Sequence, residues 1–552
     1  MTTSKTVGHN ATVSSSSGLG SILHINMIDL SVLYACFAIC LTFYTVGMLS
    51  YWIIVRFLQL KDAPPGPSGY PVIGSLFIGR WTKRSLQKKF SSLRTKFGSV
   101  FRLYLGTQFA VVINDFASMV VAFRDHERSL LQRMKHPAMT VIQREGTFNS
   151  SNKEIRWKGL LYASGTHWEV VSLFTRTALF HCQRDPVFVA TVAAGAGRLT
   201  DTISSRLDQQ LPSFRAMLHK NVSETMAALL VGESFIRDSG KMARLTELLT
   251  FISPGLATGS YGGQCPFRKK LWEQRSDFEK TLHAVNKELH AEVQRQYGKP
   301  HSADGTFSAH YLNHVAAIRR FQGQTIEKLI FNENELVALL LDLMAGGTVP
   351  LVELLINGLF LLARHPHVQV KVQAELDQFA LGKRSPFATH PLDYDSLPYL
   401  TGTCCEILRL ASVTKLGACR QTTDQIHLGK YRIASQTLLI ANLHGIHRDP
   451  AVWRLPEVFL PERYFGIDGR FTVPPSLVPY SIGERACPGG YMATHMLIAY
   501  VSGLLRRCTV SLGSNCIVDE DQPYYDFRFA ERLSFIAAMS ADDNRSGTSV
   551  SL

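Results

Sequence analysis

Leu30 to Val55 is a run of 26 residues without a charged side chain. No other stretch constrains the fold so tightly. About 20 apolar residues are enough for a helix to cross a bilayer. Inside lipid the backbone must satisfy its own hydrogen bonds, so a lone span has to be helical. Asp29 bounds the run on one side and Arg56 on the other, with Tyr51 and Trp52 where aromatic rings favour the interface. A secretory signal is shorter and lies closer to the first residue. Arg56, Lys61, Arg80, Lys83, Arg84, Lys88 and Lys89 follow the run, whereas only Lys5 precedes it. That asymmetry puts the bulk of the chain in the cytoplasm and the short N-terminus in the lumen.

The expected organisation follows. Residues 1–28 form a lumenal N-terminus, disordered around Ser14 to Ser17, with Asn10-Ala11-Thr12 as a glycosylation-type tripeptide. Residues 29–56 are the anchor. Residues 57–70 hold Pro64-Pro65-Gly66-Pro67, a stiff and non-helical spacer. Residues 71–540 read as one catalytic domain and 541–552 as a flexible tail. A chain of 552 residues exceeds the usual single core. Yet no Gly/Pro/Ser-rich linker divides the interior, and 46% hydrophobic with 18% charged residues suits one large core. Apolar periodicity predicts helices over most of 80–410, short strands near 98–113 and 426–441, and a final loop and helix. The class is mostly α with small β-sheets.

The net charge of +14 is dispersed, and no finger or basic-arm motif accompanies it. This argues against nucleic acid and for a face that attracts an acidic protein or anionic lipid. Ten cysteines are scattered without a CxxC pair, as in a protein with reduced thiols facing the cytosol. One of them stands apart. Cys487 lies in Pro479-Tyr480-Ser481-Ile482-Gly483-Glu484-Arg485-Ala486-Cys487-Pro488-Gly489, just before an apolar helical stretch from Tyr491 to Leu505. A helix N-terminus lowers the pKa of a thiol beside it. Gly483 and Gly489 permit a tight backbone, and Arg485 places a fixed cation two residues before the sulfur. The set suits an anionic sulfur on a metal, with an arginine free for a carboxylate.

This run resembles the haem-binding loop of the cytochrome P-450 superfamily, Phe-x-x-Gly-x-Arg-x-Cys-x-Gly, with Tyr480 in place of phenylalanine. The resemblance extends from about Pro64 to Ser540 and looks closest to microsomal, membrane-anchored members. It implies the cytochrome P-450 fold and haem b (iron protoporphyrin IX). It makes Cys487 the axial ligand of the haem iron, within a loop built on Tyr480 and Gly483, and Arg485 a propionate partner. Trp168, in the run Gly159 to Trp168, and Arg420 fall where the family places further propionate partners; Ser172 stands where an arginine is usual. Glu406-Ile407-Leu408-Arg409 resembles the family's Glu-x-x-Arg motif, completed by Arg463 in Pro461-Glu462-Arg463-Tyr464. That structural triad would brace the fold behind the haem.

The long apolar helix from Asn334 to Leu362 contains Ala345-Gly346-Gly347-Thr348-Val349-Pro350, where the resemblance places oxygen activation. Gly347 leaves room for dioxygen. Val349 and Pro350 occupy the positions of the family's acid and threonine and relay no proton. Three readings stay open: Thr348 supplies the hydroxyl from a shifted turn, water or a substrate hydroxyl carries the protons, or the reaction is not a monooxygenation. The first two imply insertion of one oxygen from O2 into a small apolar substrate of lipid, steroid, fatty acid or xenobiotic type. The substrate would settle among the 120–150 and 250–270 segments, the long helix and Val413 to Leu416. The third implies an isomerase or dehydratase acting on peroxides, or a non-catalytic haem protein that binds ligands. The chain has no flavin or nicotinamide motif, so the resemblance implies NADPH-cytochrome P-450 reductase as electron donor and cytochrome b5 as a second partner. It places the anchor in the endoplasmic reticulum membrane, crossing once, with the catalytic domain cytosolic.

Overall fold

A computed structural model describes residues 32–54 (except 33 and 52), 62–69, 74–75, 86–133 (except 107), 159–206 (except 162), 213–257, 275–297, 305–321, 326–381, 396–513, 516 and 526–532. The expectations for Asn10, Ser14 to Ser17, Trp52, Arg56, the tail 541–552 and most of the 134–158 and 258–274 stretches lie outside these residues. The chain divides into Met1–Ala63 and Pro64–Leu552. In the first unit, helix α1 (Tyr34–Tyr51) is long and apolar enough to cross a membrane. It turns large apolar side chains outward all round, such as Phe37, Phe43 and Tyr44. Its hydroxyls are satisfied inside the helix: Thr42 Oγ1 donates to Ala38 O at 2.7 Å and Thr45 Oγ1 to Thr42 O at 2.9 Å. That is how a threonine is tolerated in lipid, and α1 is a candidate anchor.

The second unit is mostly helical with small sheets, as expected. The proline-rich piece Pro64-Pro65-Gly66-Pro67 falls within it. Arg102 donates its amide to Pro65 O at 2.9 Å and its guanidinium to Pro64 O at 2.6 Å. Lacking donors of their own, the prolines serve as acceptors along the edge of β1 (Val100–Leu105). Strand β1 pairs antiparallel with β2 (Gln108–Ile113). β3 (Arg420–Gln421), β4 (Ile426–Leu428), β5 (Tyr431–Ile433) and β6 (Leu438–Ala441) follow far along the chain. The main sheet runs β1-β2-β6-β3, with β2 and β6 parallel, and β4 and β5 form a hairpin. The sequence reading missed one sheet, the antiparallel pair of β7 (Cys508–Leu512) and β8 (Phe527–Glu531). These are short strands without a tight turn signal between them.

Five helices frame the interior: α2 (Gly165–Cys182), α3 (Phe214–Leu230), α4 (Glu333–Arg364), α5 (Pro398–Ala411) and α6 (Gly490–Arg507). α4 runs through the middle and packs on α3, α5 and α6. It starts where the Asn332 side chain accepts the Glu335 amide at 3.1 Å. It stops at His365, because Pro366 disfavours a helical residue before it and opens the next helix. Pro350 sits inside α4 without ending it. Tertiary packing on several sides outweighs a local penalty of about 3 kcal/mol.

Behind α4, α5 buries an ionic knot. Glu406 and Arg409 are fully buried. Arg409 makes a forked contact, Nε to Oε2 at 2.8 Å and Nη2 to Oε1 at 2.7 Å. Arg463 Nε adds 2.9 Å to Oε1, Tyr464 OH 3.2 Å to Oε2, and the Leu460 amide 3.0 Å to Oε1. The carboxylate is thus saturated, and Arg409 spends its remaining donors on the carbonyls of His447, Pro456 and Val458. Removing one partner leaves a buried charge without its counterpart, at a cost of about 3–5 kcal/mol. We therefore expect Arg409→Ala to abolish or sharply lower the yield of folded protein, measured by thermal unfolding of whatever remains soluble in detergent.

Candidate functional site

A cavity of ≈ 370 Å³ lies between α4, the start of α6, α2 and the end of α5. Its walls are mainly apolar, with Leu161, Leu179, Leu343, Leu354 and Val413 among them. Cys487, Arg485, Trp168, Tyr480 and Gly347 all face it, whereas Thr348, Arg420 and Gly483 do not. Of the expected Val413 to Leu416 wall, Val413 and Thr414 contribute.

The Cys487 loop is a closed turn fastened at its neck. The Cys487 amide donates to Tyr480 O at 2.9 Å, and the Ala486 amide to Gly483 O at 2.9 Å. Gly483 has φ +75°, and a Cβ there would lie 1.9 Å from Phe123 O. Only glycine allows this close approach. Tyr480 lays its ring on Gly490 at the first turn of α6, and its hydroxyl meets Thr494 Oγ1 at 2.9 Å. The extra oxygen of tyrosine is therefore satisfied within the protein, which explains how it replaces phenylalanine.

Cys487 is exposed and lines the cavity. The enclosure pushes its thiol upward, against the Gly489 amide and Arg176, which pull it down. This overturns the expectation of a lowered pKa: desolvation outweighs the helix terminus. Stabilising the thiolate therefore falls to a bound cation. Among the described residues no group of three or more His, Cys, Asp or Glu is placed to hold a bare metal ion. One protein sulfur suits a metal already held by a macrocycle.

Opposite the sulfur, positive charge accumulates. Arg485 is buried, donates to Leu131 O and Ala163 O, and stacks its guanidinium 3.7 Å from the Trp168 ring centre. Burial first, then the charges of Arg133, Arg420 and Arg176, push its pKa down to about 8. Arg133 faces the cavity and donates to Ala418 O and Cys419 O, both at 2.6 Å. Arg420 is corrected from its expected role at the cavity. It stacks 3.8 Å from the Phe123 ring centre and donates to Ile482 O at 2.6 Å and Ser481 Oγ at 3.1 Å, bracing the loop from behind. Arg176, one turn past Ser172, pairs with Glu484 at 3.7 Å. Four mutually repelling guanidiniums beside an apolar cavity are a site prepared for a ligand with two negative charges. The residues present fit a haem: a sulfur on one side and cations for two propionates at the edge.

Along α4 the cavity face is Asp342, Leu343, Gly346, Gly347, Pro350, Leu351 and Leu354. Thr348 is fully buried on another side, and its Oγ1 has no hydrogen-bond partner among the described residues. The expectation that Thr348 reaches the cavity from a shifted turn is therefore corrected. Two residues turn an α-helix by roughly 200°, and Pro350 does not shift the register of α4. Lacking an N–H, Pro350 leaves the Gly346 carbonyl without its helical donor.

Two groups at the site were missed from sequence. Arg133 has no local motif; only the fold carries it there. Asp342 left a signal, an acid in an apolar helix four residues before Gly346 and eight before Pro350. Its Oδ2 accepts the amides of Leu160 and Leu161 at 2.7 and 3.0 Å. Buried Glu335, two turns earlier, accepts the Gly159 amide at 2.9 Å and lies 3.2 Å from His167 Nε2. Burial pushes the Asp342 carboxyl up to about 6, against those two amides and with a small push from Glu335.

A family model described as cytochrome P450 matches residues 64–528. Cytochrome P450 2U1 of Homo sapiens is 23% identical over 529 residues, covering 88% of this chain and 89% of that protein. Cytochrome P450 2J2 of Homo sapiens is 26% identical over 479 residues, with 84% and 89% covered. Cytochrome P450 2W1 of Homo sapiens is 27% identical over 481 residues, with 84% and 91% covered.

Asp342 yields a pH prediction. Its ionisation is harder in the folded protein than in the unfolded chain, where the pKa is near 3.8. The native state keeps the proton to higher pH, so stability falls as pH rises from about 4 to about 6. Asp342→Asn is expected to flatten this decline by roughly 1–2 kcal/mol. Thermal unfolding of wild type and variant at pH 4.5 and 7 in the same detergent checks it; equal slopes would refute the assignment.

Proposed function

The chain belongs to the cytochrome P450 family and is a monooxygenase whose cofactor is haem b, and from that premise we propose which residues do the work. Cys487 is the iron's protein ligand. Arg485 and Arg133 receive the propionates, with Trp168 under the Arg485 guanidinium and Arg176 at the rim. Gly483 and Tyr480 hold the loop in shape, and Glu406, Arg409 and Arg463 brace it from behind. The observation that carries this reading is an apolar cavity lined by Cys487 together with Arg485 and Arg133. When bound, haem supplies the oxygen chemistry.

The chain's own residues then have four tasks. They must orient an apolar substrate, exclude water, keep dioxygen room beside Gly346 and Gly347, and deliver protons. Leu161, Leu343, Leu354 and Val413 suit a lipid-like, steroid-like or xenobiotic substrate. Val349 and Thr348 face away from the cavity, and Pro350 faces it without a hydroxyl. Ordered water at the released Gly346 carbonyl, or a hydroxyl on the substrate, is left to hold the protons. The same lack of a cavity-facing alcohol on α4 favours a second reading, the rearrangement of a peroxide that brings its own oxygen and needs no electrons. Helix α1 would anchor the protein in the endoplasmic reticulum membrane, with the catalytic domain cytosolic. NADPH-cytochrome P450 reductase would donate electrons, helped by cytochrome b5 and drawn by the basic surface.

Two substitutions test these roles. Cys487→Ser in microsomes is expected to remove the thiolate signature from the reduced carbon monoxide spectrum; an unchanged spectrum would reject Cys487 as ligand. Pro350→Thr places a hydroxyl on the cavity face of α4 and is expected to raise the share of NADPH that ends in product by about 2-fold or more. No gain would mean that protons already arrive by another route. Product formation from an organic peroxide without NADPH, alongside none with NADPH and reductase, would establish the second reading instead.

A further inference from the structure

His447 is fully buried, and the established chemistry gives it no part. It follows a short helix, Leu443–Ile446, and reads in sequence as part of a turn. Its hydrogen bonds leave no freedom. Ser412 Oγ donates its only proton to Arg409 O at 2.7 Å. The same oxygen lies 3.1 Å from His447 Nδ1, so it must accept there, and the proton sits on Nδ1. Nε2 is then a bare acceptor, and it receives the Val478 amide at 3.0 Å. Val478 precedes Pro479, which has no amide, so this is the last backbone donor before Tyr480. The Val478 carbonyl in turn accepts the Ser481 amide at 3.0 Å, and the Tyr480 carbonyl accepts the Cys487 amide at 2.9 Å.

We propose that His447 is a positioning residue for the Cys487 loop: it ties the Glu406–Arg409 knot to Val478 and so fixes where the sulfur stands. The proposal rests on the reading of Cys487 as the iron's ligand. The tie is continuous. Arg409 Nη1 donates to the His447 carbonyl at 2.8 Å, while the ring reaches across to Val478. Trp453 closes the other side. Its ring packs edge-on against His447, its Nε1 donates to Ile446 O at 3.1 Å, and the Arg409 guanidinium lies 5.2 Å from its centre. The ring must be neutral, because a proton on Nε2 would face the Val478 N–H donor to donor. Burial, with Arg409 and Arg448 nearby, lowers its pKa to about 3, so the acceptor persists at any working pH. This is the outer-shell pattern of metal sites, with a partner of the ligand's own segment setting its orientation.

The test uses the full-length haem protein in detergent and reads three properties that need no substrate: the thiolate share of the reduced carbon monoxide complex, the iron reduction potential and the rate of haem loss. His447→Phe keeps the bulk but removes both nitrogens; haem loss is expected to speed up by about 10-fold, with a shifted potential and a smaller thiolate share. In His447→Gln the amide oxygen accepts from Val478 and the amide nitrogen donates to Ser412, so near wild-type values are expected. Ser412→Ala removes the acceptor that sets the tautomer and is expected to shift the potential even if His447→Phe does not fold. Wild-type values in His447→Phe, or in Ser412→Ala should the first not fold, would overturn the proposal. So would a His447→Gln protein as impaired as His447→Phe. A wild-type protein without any thiolate signal would instead reject the reading of Cys487.

Discussion

The carboxylate of Glu406 is the point from which the rest is held. It is fully buried, so it survives in the fold only because five donors from two segments converge on it. Those segments are α5 and the stretch around Leu460 to Tyr464, and Arg409 ties in a third, the residues near His447, Pro456 and Val458. The two outside α5 have little other reason to meet it, being without long apolar runs. A buried ion pair adds little stability over an apolar replacement, but it tolerates only one arrangement of its partners. Here that arrangement is what places the segment leading to Cys487.

The cavity has the opposite electrostatic character. Where Glu406 is saturated, the guanidiniums of Arg133, Arg420, Arg485 and Arg176 repel one another, and burial lowers the pKa of Arg420 and Arg485 further. Glu127 acts on Arg420, and Glu484 pairs with Arg176 at 3.7 Å. Such an excess is costly in the protein alone and is relieved by an anionic ligand. The thiol of Cys487, raised by the same enclosure, is likewise relieved by a bound cation. Both strains point to one group that is anionic at its edge and cationic at its centre.

Helix α4 shows how a packed helix absorbs a local fault. Pro350 removes a donor and adds a ring, yet the helix continues from Glu333 to Arg364 because neighbours cover it on several sides. The result is a helix whose cavity face carries glycine, proline and leucine, with Asp342 the one acid on it. That surface can admit oxygen and an apolar substrate but holds few protons of its own.

Much was legible in the chain itself. Length and lack of charge specified α1, and periodicity specified α4, α5 and α6. The spacing of Gly483, Arg485 and Cys487, and of Glu406 and Arg409, identified both the loop and its brace, because these contacts lie within one turn or one loop. What the chain did not reveal depends on residues far apart. Strand β8 was hidden because it is recognisable only against β7. Arg133 reaches the cavity from a segment without a motif, and Arg420 turns toward Phe123 rather than the cavity. Thr348 is turned away by helix phase that a string of letters does not fix around a proline. The tautomer of His447 follows from three hydrogen bonds joining residues 409, 412, 447 and 478. Local geometry is written in adjacent residues; burial, charge balance and side-chain direction are settled only when distant segments exclude water together.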